Sequence, residues 1–196
     1  MSAHRTVLAS GNPGKLEELQ LALQVTGLHL VSQDVLGISP AEEDGQTFIE
    51  NALKKARHAA AESGLGAIAD DSGLVVPSLG GAPGIYSARY SGAGDAGNNA
   101  KLLKAMAAMS GDERKAWFFC VVVYLKSASD PTPLIAEGRW QGWIGEAPRG
   151  EGGFGYDPLF QVDVQGTTAA QLVLHEKQRL SHRGQAVARL RQLLNA

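Results

Sequence analysis

The run of nine consecutive apolar residues from Trp117 to Leu125 constrains the fold of this chain more than any other feature. A strand without polar positions is typical of a sheet that is covered on both faces, so the run predicts a central strand. A turn at Asp130-Pro131 and a returning strand around Leu134 to Gly138 complete a long hairpin. The single cysteine, Cys120, lies in this run, and we expect a core residue rather than a reactive thiol.

Charge and composition exclude several classes of protein. The 18 Lys and Arg residues against 20 Asp and Glu residues give a net charge of −2, which leaves no positive excess for holding nucleic acid or a membrane surface. A hydrophobic fraction of 44% can fill a core, yet no apolar stretch is long enough to span a membrane and the N-terminus lacks a signal-peptide pattern. We expect one domain over residues 1–196, located in the cytoplasm.

A glycine-containing turn, Ser10-Gly11-Asn12-Pro13-Gly14-Lys15, separates the first predicted strand from a helix with regularly spaced leucines. Asn12 suits the N-cap of that helix, and Pro13 suits its first position. The turn is not a Walker motif, because Ala9 and Leu16 stand where that motif requires Gly and Ser or Thr. Backbone amides beside a lysine nevertheless suit a phosphate, and an ordinary capped turn is the alternative.

Three further helices are predicted. Thr47-Phe48-Ile49-Glu50 matches the capping-box pattern, and an apolar stripe runs from it towards Gly64, which suits the C-terminal cap. A third helix is expected from Asn98 to Met109, and a final one around Val187 to Leu194. The segment from Ser91 to Gly97 is expected to be a mobile loop.

A second glycine-rich stretch, Gly150-Glu151-Gly152-Gly153-Phe154-Gly155, formally satisfies the dinucleotide-binding pattern. That pattern must open a helix, whereas Pro158 follows here and blocks one, so we expect a loop. The loop would bring Phe154 and Asp157 to a surface, where stacking and one acceptor suit a flat heterocycle. An aromatic ring packed beneath the loop is the alternative.

Carboxylates cluster at Glu42-Glu43 and at Asp70-Asp71. Adjacent strand residues face opposite ways, so Asp70 and Asp71 are not expected to serve the same ion, and one of them should pair with another group. One acid from each cluster suits Mg²⁺, which takes one or two carboxylates and completes its shell with water and phosphate oxygens. Solvated surface charges are the alternative.

The last polar group of the chain contains Lys177, His182 and Arg183. Donors of this kind suit an oxygen on a nucleobase, because they would be left unpaired by an amino group. A solvated helix end is the alternative.

Six short segments carry a resemblance that runs nearly end to end. They are Ser10-Gly11-Asn12-Pro13-Gly14-Lys15, Thr47-Phe48-Ile49-Glu50-Asn51-Ala52, Ala69-Asp70-Asp71-Ser72-Gly73-Leu74, Gly80-Gly81-Ala82-Pro83-Gly84-Ile85-Tyr86-Ser87-Ala88-Arg89-Tyr90, Gly152-Gly153-Phe154-Gly155-Tyr156-Asp157-Pro158 and Ser181-His182-Arg183-Gly184. In this order they make the chain resemble the inosine triphosphate pyrophosphatase family, which acts on non-canonical purine nucleotides, and particularly its bacterial members.

The resemblance implies an α/β fold, in which an elongated mixed sheet flanked by helices forms two lobes with the nucleotide in a central cleft. It also implies a homodimer and hydrolysis of ITP, dITP and XTP, with Mg²⁺, to the monophosphate and pyrophosphate. The biological role would be removal of deaminated purines from the nucleotide pool.

Residue roles follow from the same resemblance. Asp71 would accept a proton, and Glu42 and Asp71 would bind Mg²⁺. The substrate-binding residues implied for the phosphates are Ser10, Gly11, Asn12, Pro13, Gly14, Lys15, Lys54 and Ser72, and those implied for the base are Phe154, Gly155, Tyr156, Asp157, Lys177, His182 and Arg183.

The chain departs from the family pattern at Leu174-His175-Glu176, where a more acidic approach to Lys177 is expected. Two alternative functions stay open at this point: a regulatory module that binds nucleotides without turnover, and a triphosphatase that acts on pyrimidine nucleotides. A structural role explains the glycine turns least well, because glycine in an ordered turn is costly.

Overall fold

The computed structural model describes residues 4–11 and 13–195, and six strands lie within them. The strands are β1 (His4–Leu8), β2 (Leu28–Ser32), β3 (Gly66–Val75), β4 (Lys115–Leu125), β5 (Leu134–Ile144) and β6 (Phe160–Gln161). They form one sheet in the order β2-β1-β3-β4-β5-β6. Because β1 is parallel to β2 and β3 while β5 is antiparallel to β6, the sheet is mixed. The predicted α/β class is therefore confirmed.

Five α-helices flank the strands within the same described residues. They are α1 (Pro13–Leu23), α2 (Phe48–Ser63), α3 (Gly94–Ala105), α4 (Leu174–Leu180) and α5 (His182–Leu194). No helix in this part of the chain is long and apolar enough to cross a membrane.

The predicted hairpin is present as β4 and β5. The apolar run from Trp117 to Leu125 lies within β4, which has β3 and β5 as its neighbours, so it is an inner strand as predicted. Cys120 is completely buried, and burial raises the pKa of its thiol, as suits a core residue. β5 is longer than predicted because its alternation of buried and exposed positions continues to Ile144.

Helix α3 begins at Gly94, so part of the segment predicted as a loop forms its first turn. The predicted start at Asn98 was wrong, because Asn98 lies within the helix and its side chain bonds to residues that precede the helix. Its Oδ1 accepts from the Ser91 backbone at 2.7 Å, and its Nδ2 donates to the Ala88 carbonyl at 3.2 Å. The predicted end at Met109 was also late, since α3 ends at Ala105.

The chain divides into two compact units, each with its own hydrophobic core. The first unit comprises Met1–Asp71, Cys120–Gly138 and Arg183–Ala196, and the second comprises Ser72–Phe119 and Arg139–His182. Buried residues of the first core include Leu8, Leu23, Ile68, Val122 and Leu190. Buried residues of the second core include Leu74, Leu102, Phe118, Trp140 and Phe160.

Helix α2 begins with the capping box that the sequence predicts. The Thr47 hydroxyl accepts from the Glu50 backbone at 3.2 Å, and the Glu50 carboxylate accepts from the Thr47 backbone at 2.8 Å. The helix ends at Gly64, whose φ of 67° is the left-handed conformation that favours glycine. These two ends fix which residues of α2 face inward: Asn51, Ala52, Ala56, Ala59 and Ala60 are buried.

Replacing Thr47 by Ala removes the acceptor for the Glu50 amide, and we expect the free energy of unfolding to fall by about 1 kcal/mol. Urea denaturation followed by circular dichroism measures the change. Gln46→Ala is the matched control, because only the backbone of Gln46 bonds to Glu50. Equal stability of the Thr47→Ala and Gln46→Ala proteins would contradict the role of the cap.

Candidate active site

Asp70 and Asp71 are adjacent on β3 and face different partners, as strand alternation predicts. Asp70 is 2% exposed, whereas Asp71 is only partly buried. Each carboxylate is the centre of a separate group of polar residues in the first unit.

The Asp70 group consists of Asp70, Lys15 and Arg183. The Lys15 ammonium lies 2.9 and 3.0 Å from the two carboxylate oxygens of Asp70. Arg183 donates to Asp70 Oδ2 from Nε and Nη2, both at 3.3 Å. Burial alone would raise the pKa of Asp70, but the charges of Lys15, Arg183 and the nearby Lys55 outweigh it and hold the pKa well below its usual range. Asp70 is therefore ionised and fully engaged by cations.

The Asp71 group consists of Asp71, Asn51, Lys55 and Glu43. Asn51 Nδ2 donates to Asp71 Oδ2 at 3.2 Å, and the Lys55 ammonium lies 3.3 Å from Asp71 Oδ1. The same ammonium lies 3.0 Å from Glu43 Oε1. Burial raises the pKa of Asp71, although Lys55 and the Asn51 amide oppose the shift. Burial would lower the pKa of Lys55, but Asp71, Asp70 and Glu43 together raise it.

Two of the predicted residues lie apart from this group. Lys54 is exposed and forms an ion pair with Asp44. Glu42 is also exposed and makes no ion pair with any other described residue. The structure instead brings their chain neighbours, Lys55 and Glu43, to Asp71.

Asn51 and Lys55 were not predicted from the sequence, whereas Glu43 was one of the two acids of the Glu42-Glu43 cluster, from which the resemblance singled out Glu42. Part of the signal for Asn51 and Lys55 was present. Asn51 and Lys55 are four residues apart, so they lie on one face of α2. The capping box at Thr47 fixes where the helix begins, and hence which face carries that pair. Helical spacing alone does not say which face meets Asp71.

A cavity of about 220 Å³ lies in the first unit. It is lined by Ala9, Ser10, Gly11, Lys15, Gln33, Pro40, Ala41, Glu43, Lys55 and Asp70. The predicted turn thus contributes Ser10, Gly11 and Lys15 to the wall, while Asn12 and the side chain of Pro13 lie outside the described part of the chain, and Gly14 belongs to α1. A Cβ atom at Gly11 would overlap with the Asp34 carboxylate, so a larger residue there would have to displace that exposed side chain.

The Phe154 turn, residues 153–157, brings several predicted residues together in the second unit. Phe154 is 66% exposed, and its backbone N–H donates to Asp157 Oδ2 at 2.8 Å. Lys177 forms an ion pair with Asp157, and its ammonium lies 5.0 Å from the centre of the Phe154 ring. The turn therefore presents an open aromatic face beside one cation and one carboxylate, as the loop interpretation predicts.

Other predicted residues of the second unit are less exposed than Phe154. Tyr156 is 3% exposed, and its hydroxyl donates to the Ser87 carbonyl at 2.9 Å, so it supports the turn from below. Burial raises the pKa of that hydroxyl. The His182 ring stacks on Phe118 with the ring centres 4.8 Å apart. Ser72 is partly buried on β3, next to Asp71 in the chain.

Gly155 and Arg183 complete the predicted set. The Gly155 N–H donates to Asp95 at 2.7 Å, and its carbonyl accepts from Asn99 at 2.9 Å. Arg183, expected at the base, belongs instead to the Asp70 group in the first unit. Its guanidinium therefore serves a buried carboxylate.

The chemistry available differs between the two units. The first offers two lysines on the wall of a small cavity, and one of them, Lys55, also contacts Asp71, a carboxylate of raised pKa. This arrangement suits polar, charged ligands. The second offers an aromatic face with a donor and an acceptor, which suits a flat heterocycle. The described residues contain no cluster of three or more metal-ligating side chains. Asp71 and Glu43 both contact the Lys55 ammonium, and together they offer two carboxylates, which are hard oxygen ligands.

Comparison with known proteins gives consistent matches. The family model for the Ham1 family matches residues 6–193. The dITP/XTP pyrophosphatase of Shigella flexneri is 57% identical over 185 residues, which cover 93% of this chain and 94% of that protein. A HAM1 protein from Coxiella burnetii superposes with a TM-score of 0.93 at 45% identity and 98% coverage of both chains. The Ham1 protein of Staphylococcus aureus has a TM-score of 0.86 at 37% identity, covering 97% of this chain and 98% of that one.

Replacing Asp70 by Asn leaves two cations beside a neutral amide, and we expect a loss of about 3 to 5 kcal/mol in unfolding free energy. Thermal and urea denaturation measure the loss. Asp112→Asn is the control, because Asp112 is 86% exposed where it pairs with Lys115, and such a pair contributes about 0 to 1 kcal/mol. An Asp70→Asn protein as stable as the Asp112→Asn protein would show that the Asp70 group is not structural.

Proposed function

This chain belongs to the Ham1 family, and on that premise we propose that it hydrolyses dITP, XTP and ITP to the nucleoside monophosphate and pyrophosphate. The enzyme would thereby remove deaminated purines from the nucleotide pool. The observation that carries the proposal is the Asp71 group, in which a carboxylate of raised pKa meets the ammonium of a partly buried lysine, Lys55. The name of the Shigella flexneri relative supports the substrate class.

The triphosphate is assigned to the cavity of about 220 Å³ and to the turn that precedes α1. Helix α1 begins at Pro13, so its first backbone N–H groups are available at the turn, and Lys15 and Lys55 add positive charge along the cavity wall. We assign phosphate contacts to the predicted residues Ser10, Gly11, Asn12, Pro13, Gly14, Lys15 and Ser72. Lys55 takes the role expected of Lys54, because Lys55 is the lysine that lies at Asp71.

Glu43 and Asp71 are the residues that would hold Mg²⁺, with Glu43 in the place expected of Glu42. Two carboxylates, together with phosphate oxygens and water, match the ligands that Mg²⁺ prefers. When bound, the ion would neutralise phosphate charge and lower the pKa of a coordinated water. The Lys55 ammonium contacts both carboxylates, and its positive charge limits the repulsion between them.

Asp71 is assigned as the proton acceptor for the water that attacks the α-phosphorus. A raised pKa brings a carboxylate closer to the range in which it accepts a proton effectively. Asn51 donates to one oxygen of the Asp71 carboxylate and Lys55 to the other, and the two bonds fix the orientation of the carboxylate. Lys15 and Lys55 stabilise the charge of the departing pyrophosphate.

The base is assigned to the Phe154 turn. Phe154 would stack on the purine, with Gly155, Tyr156 and Asp157 shaping the turn beneath it. Lys177 would donate to the C6 oxygen of hypoxanthine or xanthine, with His182 nearby in the chain. Adenine carries an amino donor at C6, so it would leave the lysine without an acceptor. The side chain of Arg183 serves Asp70, so we do not assign Arg183 to the base. A homodimer and a cytoplasmic location complete the proposal.

Turnover of the purified protein with Mg²⁺ on dITP, XTP, ITP, GTP and ATP tests the proposed function. We expect pyrophosphate, with no orthophosphate, from the first three nucleotides, and rates at least about 100-fold lower for ATP, as expected when a buried donor meets a donor. Ion chromatography separates the two products. Release of orthophosphate, or tight binding without turnover, would overturn the proposal.

A matched pair of lysine variants tests the Asp71 group. Lys55→Met should lower kcat/KM for dITP by about 100-fold or more, because it removes a positioned charge at the reacting phosphates. Lys54→Met should stay within about twofold of the wild type, because Lys54 is exposed and pairs with Asp44. Asp71→Asn should reduce kcat by about 100-fold or more while the circular dichroism spectrum is unchanged. Equal losses in the two lysine variants would contradict the assignment of Lys55.

A further inference from the structure

Helix α3 holds the middle of the Phe154 turn with two of its side chains. Asp95 Oδ2 accepts from the Gly155 N–H at 2.7 Å, and Asn99 Nδ2 donates to the Gly155 carbonyl at 2.9 Å. The two side chains are four residues apart in the helix, so they lie on one face of it. Both hydrogen-bonding groups of the Gly155 backbone are therefore bonded to α3.

The ends of the turn are attached elsewhere in the second unit. The Gly152 N–H donates to the Ala170 carbonyl at 3.1 Å, and the Ala170 N–H donates to the Asp157 carbonyl at 3.2 Å. Gly155 lies between these attachments, with a φ of 61° that favours glycine. Phe154 directly precedes it and is 66% exposed. The two bonds from α3 therefore fix the backbone immediately after the exposed ring.

The Asn99 side chain favours the turn and disfavours the helix that carries it. Its Oδ1 is buried and bonds to no atom in the described part of the chain, where the bond to Gly155 is the only one that this side chain makes. A buried polar atom without a partner opposes folding, and asparagine has a lower helix propensity than alanine. An alanine at this position would remove both costs.

The neighbouring Asn98 shows the opposite balance. It is 2% exposed, and its Oδ1 accepts from the N–H and the hydroxyl of Ser91 at 2.7 and 2.8 Å. Its Nδ2 donates to the carbonyls of Ser87 and Ala88 at 3.3 and 3.2 Å. Both ends of this amide thus have partners, and all of them precede the helix. Two adjacent asparagines of α3 therefore separate a structural amide from one that serves the turn.

We propose that Asn99 and Asp95 are positioning residues for base binding, which hold the Phe154 turn so that its ring is placed to stack on a flat heterocycle. The assignment rests on the proposed function for the identity of that heterocycle, a purine base. Neither residue takes part in proton transfer, and both act on the substrate only through Gly155 and Phe154.

Asn99→Ala and Asn98→Ala form a matched pair of variants at adjacent positions. Asn99→Ala should raise KM for dITP about fivefold, the effect of one lost hydrogen bond, with kcat within about twofold of the wild type. Its melting temperature should equal or exceed that of the wild type, because the unbonded Oδ1 is removed. Asn98→Ala should melt at a lower temperature, because it leaves the Ser91 N–H and hydroxyl without their acceptor.

A pair of Asp95 variants tests the second bond. Asp95→Ala removes the acceptor of the Gly155 N–H and should raise KM for dITP about fivefold. Asp95→Asn keeps an oxygen acceptor at the same length, so it should raise KM less than Asp95→Ala does. Equal KM values in these two variants would contradict the role of Asp95.

A double-mutant cycle with Phe154→Ala separates positioning of the ring from a general loss of structure. Once the ring is absent, Asn99→Ala should raise KM by less than about twofold, because the two residues act as one unit. The proposal is overturned if Asn99→Ala has the KM of the wild type, if it melts as low as Asn98→Ala, or if it raises KM equally with and without Phe154. In those cases the wild type still releases pyrophosphate from dITP, whereas a wild type that releases none would overturn the proposed function together with this assignment.

Discussion

The buried carboxylate of Asp70 is the interaction on which the first unit depends. Its two cations come from opposite ends of the chain, Lys15 in α1 and Arg183 at the start of α5, and they meet it on β3. A buried charge is tolerated only where it is paired, so this carboxylate requires that both α1 and α5 are folded against β3. The Ser10 to Lys15 turn is thereby tied to the sheet through its lysine.

The same strand separates two identical side chains into different roles. Asp70 is held ionised by its cations, while burial raises the pKa of Asp71. Adjacent positions on a strand face opposite ways, so one step along the backbone is enough to give two carboxylates opposite shifts in pKa. Chemistry that needs a proton acceptor can then use Asp71 without disturbing the pair that stabilises the unit.

Local patterns in the sequence predicted much of the fold. The apolar run, the capping box and the glycine loop each determine the local structure by themselves, and the structure contains the elements that they predict: β4, α2 and the Phe154 turn. The errors arose where contacts between residues far apart in the sequence determine the structure. Asn98 resembles a helix start but bonds from within α3, and the choice of Lys55 over Lys54 depends on which face of α2 meets β3. The pairing of Arg183 with Asp70 joins residues 113 positions apart, which no local pattern indicates.

The Phe154 turn is held from several directions before any ligand arrives. Asp157 accepts from the Phe154 N–H, Asp95 accepts from the Gly155 N–H, and Asn99 donates to the Gly155 carbonyl. The Tyr156 hydroxyl donates to the Ser87 carbonyl. An exposed aromatic ring on a flexible loop would lose conformational freedom each time it stacked on a ligand. Here the backbone of the turn is already ordered on folding, so a ligand that stacked on Phe154 would not have to order it.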